Sequence, residues 1–127
     1  MPRSPTKLRN KVRKVLRQLL LPRKFIYCDA AYDAKTGNAV IAYVFNDMSE
    51  QEYQFIKAAS NNEAELRAVK LAQEKHPAYK VATDSMYALS HSDGDKVFHV
   101  PRKRNIANLI ARSAMEMARS RVEHKPS

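Results

Sequence analysis

The chain has 127 residues and only two glycines, Gly37 and Gly94, which excludes the glycine-rich phosphate loops of P-loop and dinucleotide-binding proteins. A single cysteine, Cys28, excludes an internal disulfide framework and cysteine-rich zinc sites, and it fits a reducing, cytoplasmic compartment. The longest apolar run, residues 39–45, is far too short to span a membrane. The composition therefore predicts a globular protein with one hydrophobic core and no membrane-spanning segment.

The formal net charge of +10 is unevenly distributed along the chain. Residues 1–24 carry nine Lys or Arg and no acid, residues 25–101 carry seven against eleven acids, and residues 102–127 carry seven against two. Basic ends around an acidic centre indicate a polyanionic partner, most often nucleic acid and sometimes a membrane surface. On charge alone, solvated basic tails remain the alternative.

The first predicted element is a basic amphipathic helix within residues 1–24. Ser4 is a candidate N-cap, Pro5 suits the first helical position, and Pro22 ends the helix. Its apolar residues recur at helical spacing and are Leu8, Val12, Val15, Leu16, Leu19 and Leu20. Such a helix can pack on its own domain, pair with a second copy in a homo-oligomer, or lie on phosphates or lipid.

Residues 25–120 predict one domain, followed by a tail at residues 121–127. Three strand patterns joined by short connections predict an antiparallel meander, after which helix and strand patterns alternate. The predicted strands are residues 25–32, 38–45, 52–58, 80–83 and 97–100, and the predicted helices are residues 60–75, 84–90 and 105–118. Ser60 and Glu63 form a capping box at the start of the first of these helices. The order βββαβαβα predicts an α/β fold with a five-stranded mixed sheet flanked by helices.

Three acidic residues are candidates for chemistry at one edge of this sheet. Asp29 lies in a strand that is apolar on both faces, where an unpaired carboxylate is costly. Glu65 shares a helix face with small apolar residues, and the helix N-terminus should stabilise its charge. Asp84 follows a short strand, where the sites of open α/β sheets gather. Taken singly, each has a structural alternative: a loop cap for Asp29, a solvated side chain for Glu65 and a helix N-cap for Asp84.

Together the three carboxylates predict a site for divalent metal ions. Clustered carboxylates repel each other and are tolerated when they bind cations. Oxygen ligands favour Mg²⁺ or Mn²⁺ over zinc. Two such ions about 4 Å apart can activate a water and stabilise a leaving oxygen during phosphodiester hydrolysis.

Four motifs resemble, in chain order, those of type 1 ribonuclease H. They are FIYCDAA at residues 25–31, SNNEAEL at 60–66, TDSMY at 83–87, and VPRKRN at 100–105 followed by Ala107-Asn108. The resemblance implies a five-stranded mixed sheet, a site of four acidic residues that holds two Mg²⁺ ions, and endonucleolytic cleavage of the RNA strand of RNA/DNA hybrids.

By this resemblance Asp29, Glu65 and Asp84 match the first three acidic residues, whereas the fourth position is Asn108. An asparagine offers a carbonyl oxygen to a metal but adds no charge, so we expect weaker binding of the second ion or a preference for Mn²⁺.

Further residues are candidates for contact with the nucleic acid. Asn61 and Asn62 match residues that contact the minor groove of the hybrid, where the 2′-hydroxyls of RNA lie. The other candidates are Ser85, Arg102, Lys103 and Arg104. The flexible-loop histidine of the family has no clear match, and His91 and His99 are the nearest candidates for a proton shuttle.

Two other functions remain open. One is a catalytically weak or inactive nucleic-acid binding module on the same scaffold, which the asparagine at position 108 favours. The other is a nuclease of related fold, of the junction-resolvase or integrase type, which acts on another structured substrate.

Overall fold

The computed structural model describes residues 23–123, so nearly all of the predicted N-terminal helix lies outside the described residues. The elements are β1 (Ile26–Tyr32), β2 (Asn38–Phe45), β3 (Gln51–Lys57), α1 (Asn61–Lys75), β4 (Val81–Thr83), α2 (Met86–Ser90), β5 (Val97–His99) and α3 (Ala107–Glu123). A 3₁₀ turn, Arg102–Arg104, precedes α3. This order confirms the predicted βββαβαβα arrangement. Among the described helices, none has the length and apolar character needed to cross a membrane.

The five strands form one mixed sheet in the order β3-β2-β1-β4-β5, as predicted. Strands β3, β2 and β1 pair antiparallel, whereas β1, β4 and β5 pair parallel. The turn between β1 and β2 needs Gly37, whose φ of +76° is costly for residues with a side chain. Strand β3 begins and ends one residue earlier than predicted, and Ala58, directly after its end, donates its N–H to the Gly37 carbonyl oxygen.

Helices cover both faces of the sheet, as the alternation in β2 requires. Ile41 and Tyr43 of β2 pack in the same cluster as the small residues of α1, whereas Val40 and Ala42 pack against α3. The face of α1 that meets the sheet consists of Ala64, Ala68, Val69, Leu71 and Ala72. Helix α1 therefore lies on one side of the sheet and α3 on the other.

The start of α1 confirms the predicted capping box, with one difference in its hydrogen bonds. The Ser60 hydroxyl accepts from the Glu63 N–H at 3.1 Å, as expected. The Glu63 carboxylate accepts from the N–H of Ala59 at 2.6 Å, one residue before the cap. Helix α1 ends at Lys75, and Pro77 follows soon after its C-cap His76.

Unequal strand lengths open a gap in the middle of the sheet. Strand β1 has seven residues and β4 has three, and they pair only from Ile26 with Val81 to Tyr27 with Ala82. The second half of β1 therefore extends past the end of β4 without a partner on that side. The helices on the two faces can meet β1 at this gap.

Candidate active site

Asp29 lies in the middle of β1 and is the most enclosed acidic residue of the site. It pairs with Ala42 of β2, so its side chain is on the α3 side of the sheet, and it is 2% exposed. The Nδ2 of Asn108, on the first turn of α3, donates a 2.6 Å hydrogen bond to its Oδ2. This placement excludes the alternative in which Asp29 caps a loop.

Asp84 follows β4 directly and reaches the same level of the sheet as Asp29. Tyr27 pairs with Ala82, and each of the two aspartates is two residues further along its strand direction. The N-cap of α2 is Ser85, whose hydroxyl accepts from the N–H of Ala88 at 3.1 Å. The N-cap interpretation of Asp84 is therefore wrong, and its carboxylate is available at the gap.

Glu65 approaches the gap from the opposite face, on α1. Its side chain is 8% exposed, and its Oε2 has no hydrogen-bond partner among the described residues. Asp29, Glu65 and Asp84 each offer a carboxylate oxygen within 4.8 Å of the others. The structure thus brings the three predicted acidic residues together.

Electrostatics make this cluster unfavourable without a cation. Burial, followed by the charges of Asp29 and Asp84, raises the pKa of Glu65 to about 10. Burial and the Asp29 charge also raise the pKa of Asp84, although the Arg102 guanidinium opposes this shift. Within residues 23–123 no lysine or arginine forms an ion pair with these three carboxylates.

The residues present fit a divalent ion such as Mg²⁺. All donors are oxygen atoms, which hard divalent cations prefer. The unpartnered Glu65 Oε2 is a buried acceptor that a cation would satisfy. A bound cation would also remove the repulsion that raises the carboxyl pKa values.

Asn105 is a residue of this site whose role the sequence did not indicate. It is 3% exposed, and its Nδ2 donates to the Cys28 carbonyl oxygen at 2.8 Å. Its Oδ1 accepts from the Ala107 N–H at 3.2 Å, at the first residue of α3. Asn105 therefore ties the start of α3 to β1, beside Asp29. Because the side chain of Asn105 makes these bonds, α3 begins at Ala107, two residues later than predicted. The helix also extends five residues beyond residue 118, where it was expected to end.

A groove of about 690 Å³ runs over the carboxylates and contains most of the predicted nucleic-acid contacts. Asn61 and Asn62 at the start of α1 line it, as do Ser85 and Arg102. Lys103 and Arg104 are exposed on the 3₁₀ turn and do not line it. Residues of α3 that the sequence reasoning missed also line the groove, namely Arg112, Met115, Glu116 and Arg119. They lie one helical turn or more beyond Asn108, so helical periodicity was the signal that could have found them.

Neither histidine candidate reaches the carboxylates. His91 is the C-cap of α2, and its ring stacks on Tyr87 with a centroid distance of 4.0 Å. His99 is the exposed last residue of β5. Neither one lines the groove, so the structure offers no support for a proton shuttle at either position.

Comparison with known families agrees with the motif order. The family model described as RNase H matches residues 22–125, which include every described element from β1 to α3. A search of curated proteins found no match to the chain.

Proposed function

The chain belongs to the ribonuclease H family, and on this premise we propose that it is a metal-dependent endoribonuclease that hydrolyses the RNA strand of RNA/DNA hybrids. Family membership by itself supports nuclease activity on nucleic acid. The observation that carries the finer proposal is the trio of Asp29, Glu65 and Asp84, the first two buried and the third half-buried, whose oxygens lie within 4.8 Å of one another. A trio that forms no ion pair with a lysine or arginine of residues 23–123 is suited to bind divalent ions.

We assign the metal ligands by matching them to the family motifs. The site would hold two ions, either Mg²⁺ or Mn²⁺. Asp29 and Asp84 would bind both of them, and Glu65 would bind the second ion. Asn108 would be a weak fourth ligand through Oδ1, because its Nδ2 is already bonded to Asp29. When bound, such ions would supply an activated water and neutralise charge on the phosphate, and hydrolysis of the P–O3′ bond would leave 5′-phosphate and 3′-hydroxyl ends.

The groove residues would bind and orient the hybrid. Asn61 and Asn62 are exposed at the start of α1, beside Glu65, where their amides can bond to 2′-hydroxyls of the RNA strand. Arg102 can bind a phosphate near Asp84, and the Ser85 hydroxyl can donate to the backbone. Lys103 and Arg104 would contact phosphates further from the site. Glu65 can also orient the attacking water or a 2′-hydroxyl.

We place this activity in residues 25–120 and regard residues 1–24 as a basic extension and residues 121–127 as a tail. The first residues of that tail, 121–123, continue α3. Cys28, the single cysteine, fits the reducing cytoplasm, where we place the protein.

A labelled RNA/DNA hybrid with Mg²⁺ or Mn²⁺ tests the proposal. The wild type should cut the RNA strand, and Asp29→Asn and Asp84→Asn should lose cutting by about a hundredfold or more while they still bind the hybrid. Asp95→Asn makes the same change in an exposed loop and should cut normally. A wild type that does not cut, or aspartate variants that cut normally, would contradict the proposal. The same assay with duplex DNA, duplex RNA and a four-way junction tests the alternative that the protein is a nuclease acting on another structured substrate.

One observation favours a non-catalytic binding module, namely the asparagine at position 108 in place of a fourth acidic residue. In that case the protein would bind hybrid or duplex with steep salt dependence but would not cut it. Its melting temperature would also not rise with added metal.

A further inference from the structure

An apolar groove lies between α3 and the edge strand β3. We name it the β3–α3 groove and define it by Tyr53, Phe55, Ala114, Met117 and Ala118. Two adjoining cavities of about 590 and 290 Å³ share Phe55 and Ala118 and form this groove. Its large side chains are exposed: Phe55 by 58%, Met117 by 53% and Tyr53 by 44%. A contiguous exposed apolar surface of this kind is typical of a docking site.

The register of β3 places this surface on the α3 side of the sheet. Tyr53 pairs with Ala42 and Phe55 pairs with Val40, and both partners pack under α3. Helix α3 covers β1 and β2 but leaves the neighbouring strand β3, at the edge of the sheet, largely open. One further helix alongside α3 would complete the layer on this face.

The chain itself carries a segment of suitable character before β1. Residues 4–21 are predicted to form a helix with one apolar stripe, which needs a surface to cover it. The part of the stripe from Val12 to Leu20 would be about 12 Å long in a helix. The groove side of β3 from Gln51 to Phe55 is about 13 Å long. The stripe and the groove therefore match in length and in apolar character.

The connection to β1 is long enough for this segment to reach the groove. The Asn46 side-chain amide donates to the Arg23 carbonyl oxygen at 3.3 Å, which fixes Arg23 beside the end of β2. Gln51 begins β3 and pairs with Val44, so it lies about 8 Å from Asn46. Residues 20–23 span up to about 10 Å when extended. Leu20 can thus lie above the first residue of β3, and the helix can run along the strand.

We propose that residues 4–21 form a helix that docks its apolar stripe into the β3–α3 groove of the same chain. A short tether gives the segment an effective concentration on the order of millimolar at the groove. A second copy present at micromolar concentration competes poorly with a segment tethered in this way. Docking leaves the basic residues of the segment in solvent, beside the groove-rim residues Lys57 and Arg121, whereas Arg119 at the same rim is paired with Asp33 at 3.4 Å. It therefore adds basic surface for phosphates, independently of whether the protein cleaves them.

Disulfide trapping tests the docked position and distinguishes it from pairing of two copies. Leu16→Cys is combined with Tyr53→Cys in the full chain, and Val12→Cys with Phe55→Cys provides a second pair. Burial raises the pKa of Cys28, so this native thiol does not compete. After mild oxidation we expect a cross-linked monomer in most of the protein, at every protein concentration. The matched control is Leu16→Cys with Leu109→Cys, since Leu109 is exposed on α3 outside the groove, and it should remain reduced.

Limited trypsin digestion provides an independent measurement without added cysteines. Phe55→Ser should increase cleavage within residues 3–17 by about tenfold, because the segment is released, whereas Leu109→Ser should leave the rate unchanged. A covalent dimer that grows with protein concentration would overturn the proposal in favour of a second copy in the groove. Absence of any cross-link together with equal cleavage of the wild type and Phe55→Ser would also overturn it.

Discussion

Replacement of Glu65 by glutamine should stabilise the metal-free protein at neutral pH. Burial, with the charges of Asp29 and Asp84, raises the pKa of Glu65 in the folded state above its ordinary value of 4.5. Below pH 4.5 the folded and unfolded chains both hold the proton, so this group does not affect stability. Above it, the folded protein must keep a proton that the unfolded chain releases. The free energy of unfolding therefore falls as pH rises towards the folded pKa.

The expected magnitude follows from pH and the ordinary pKa. Each pH unit above 4.5 costs about 1.4 kcal/mol while Glu65 stays protonated in the folded state. At pH 7 the cost is about 3 kcal/mol, and it does not depend on the folded pKa as long as that value is above 7. Glutamine has no proton to release, and its amide can donate to Asp29 as the Asn108 amide does. Glu65→Gln should therefore be about 3 kcal/mol more stable than the wild type at pH 7.

Urea unfolding in the presence of a chelator measures this difference between about pH 5 and pH 8. The advantage of Glu65→Gln should be small near pH 5 and should grow with pH. Glu74→Gln is the matched control on the same helix, because Glu74 is exposed, and its effect should remain within about 0.5 kcal/mol. A difference that does not vary with pH, or a glutamine variant that is less stable at pH 7, would refute the reasoning.

Four more predictions concern the metal ions, the two asparagines and the basic extension. Mg²⁺ should raise the unfolding temperature more at pH 8 than at pH 6, since binding requires Glu65 to be deprotonated; an equal shift at both pH values would contradict this. Asn105→Ala removes two buried hydrogen bonds and should lower the free energy of unfolding by about 1–3 kcal/mol, measured in urea; a loss below about 0.5 kcal/mol would contradict its positioning role. Asn108→Asp replaces a donor to Asp29 with a fourth carboxylate, so we expect lower metal-free stability and a lower half-saturating Mg²⁺ concentration in thermal titrations, and weaker Mg²⁺ binding would be inconsistent with this role. Deletion of residues 1–23 should flatten the salt dependence of hybrid binding, and an unchanged slope would show that the extension does not contact phosphates.

The order of helices and strands was predictable because its signals are local. Ser60 and Glu63 cap α1, Pro77 follows its end, and Gly37 allows the turn between β1 and β2. The start of α3 was placed two residues too early for a different reason. The side chain of Asn105 bonds to Cys28, which is 77 residues away in sequence. A pattern within one helix contains no information about such a contact.

The three acidic residues were also identifiable, since each one interrupts an apolar pattern or ends a strand. The protonation of these residues could not be predicted from the sequence, because the pKa of Glu65 depends on its burial and on the nearby charges of Asp29 and Asp84. Asp84 and Ser85 are adjacent, and both residue types are favourable N-caps, so the sequence does not show which of them caps α2. The answer depends on where the helix begins in the folded protein. Sequence reasoning therefore found the three clustered carboxylates but not their protonation.

The hydrogen bond between Asn108 and Asp29 joins residues that are 79 positions apart. Strand β1 can pair with β4 only after the chain between them has formed its crossover, because the two strands are parallel. Contacts of such high sequence separation form late, since closing long loops is entropically costly. A nascent chain that still lacks α3 therefore holds Asp29 without the hydrogen bond that the Asn108 amide donates to it in the complete fold.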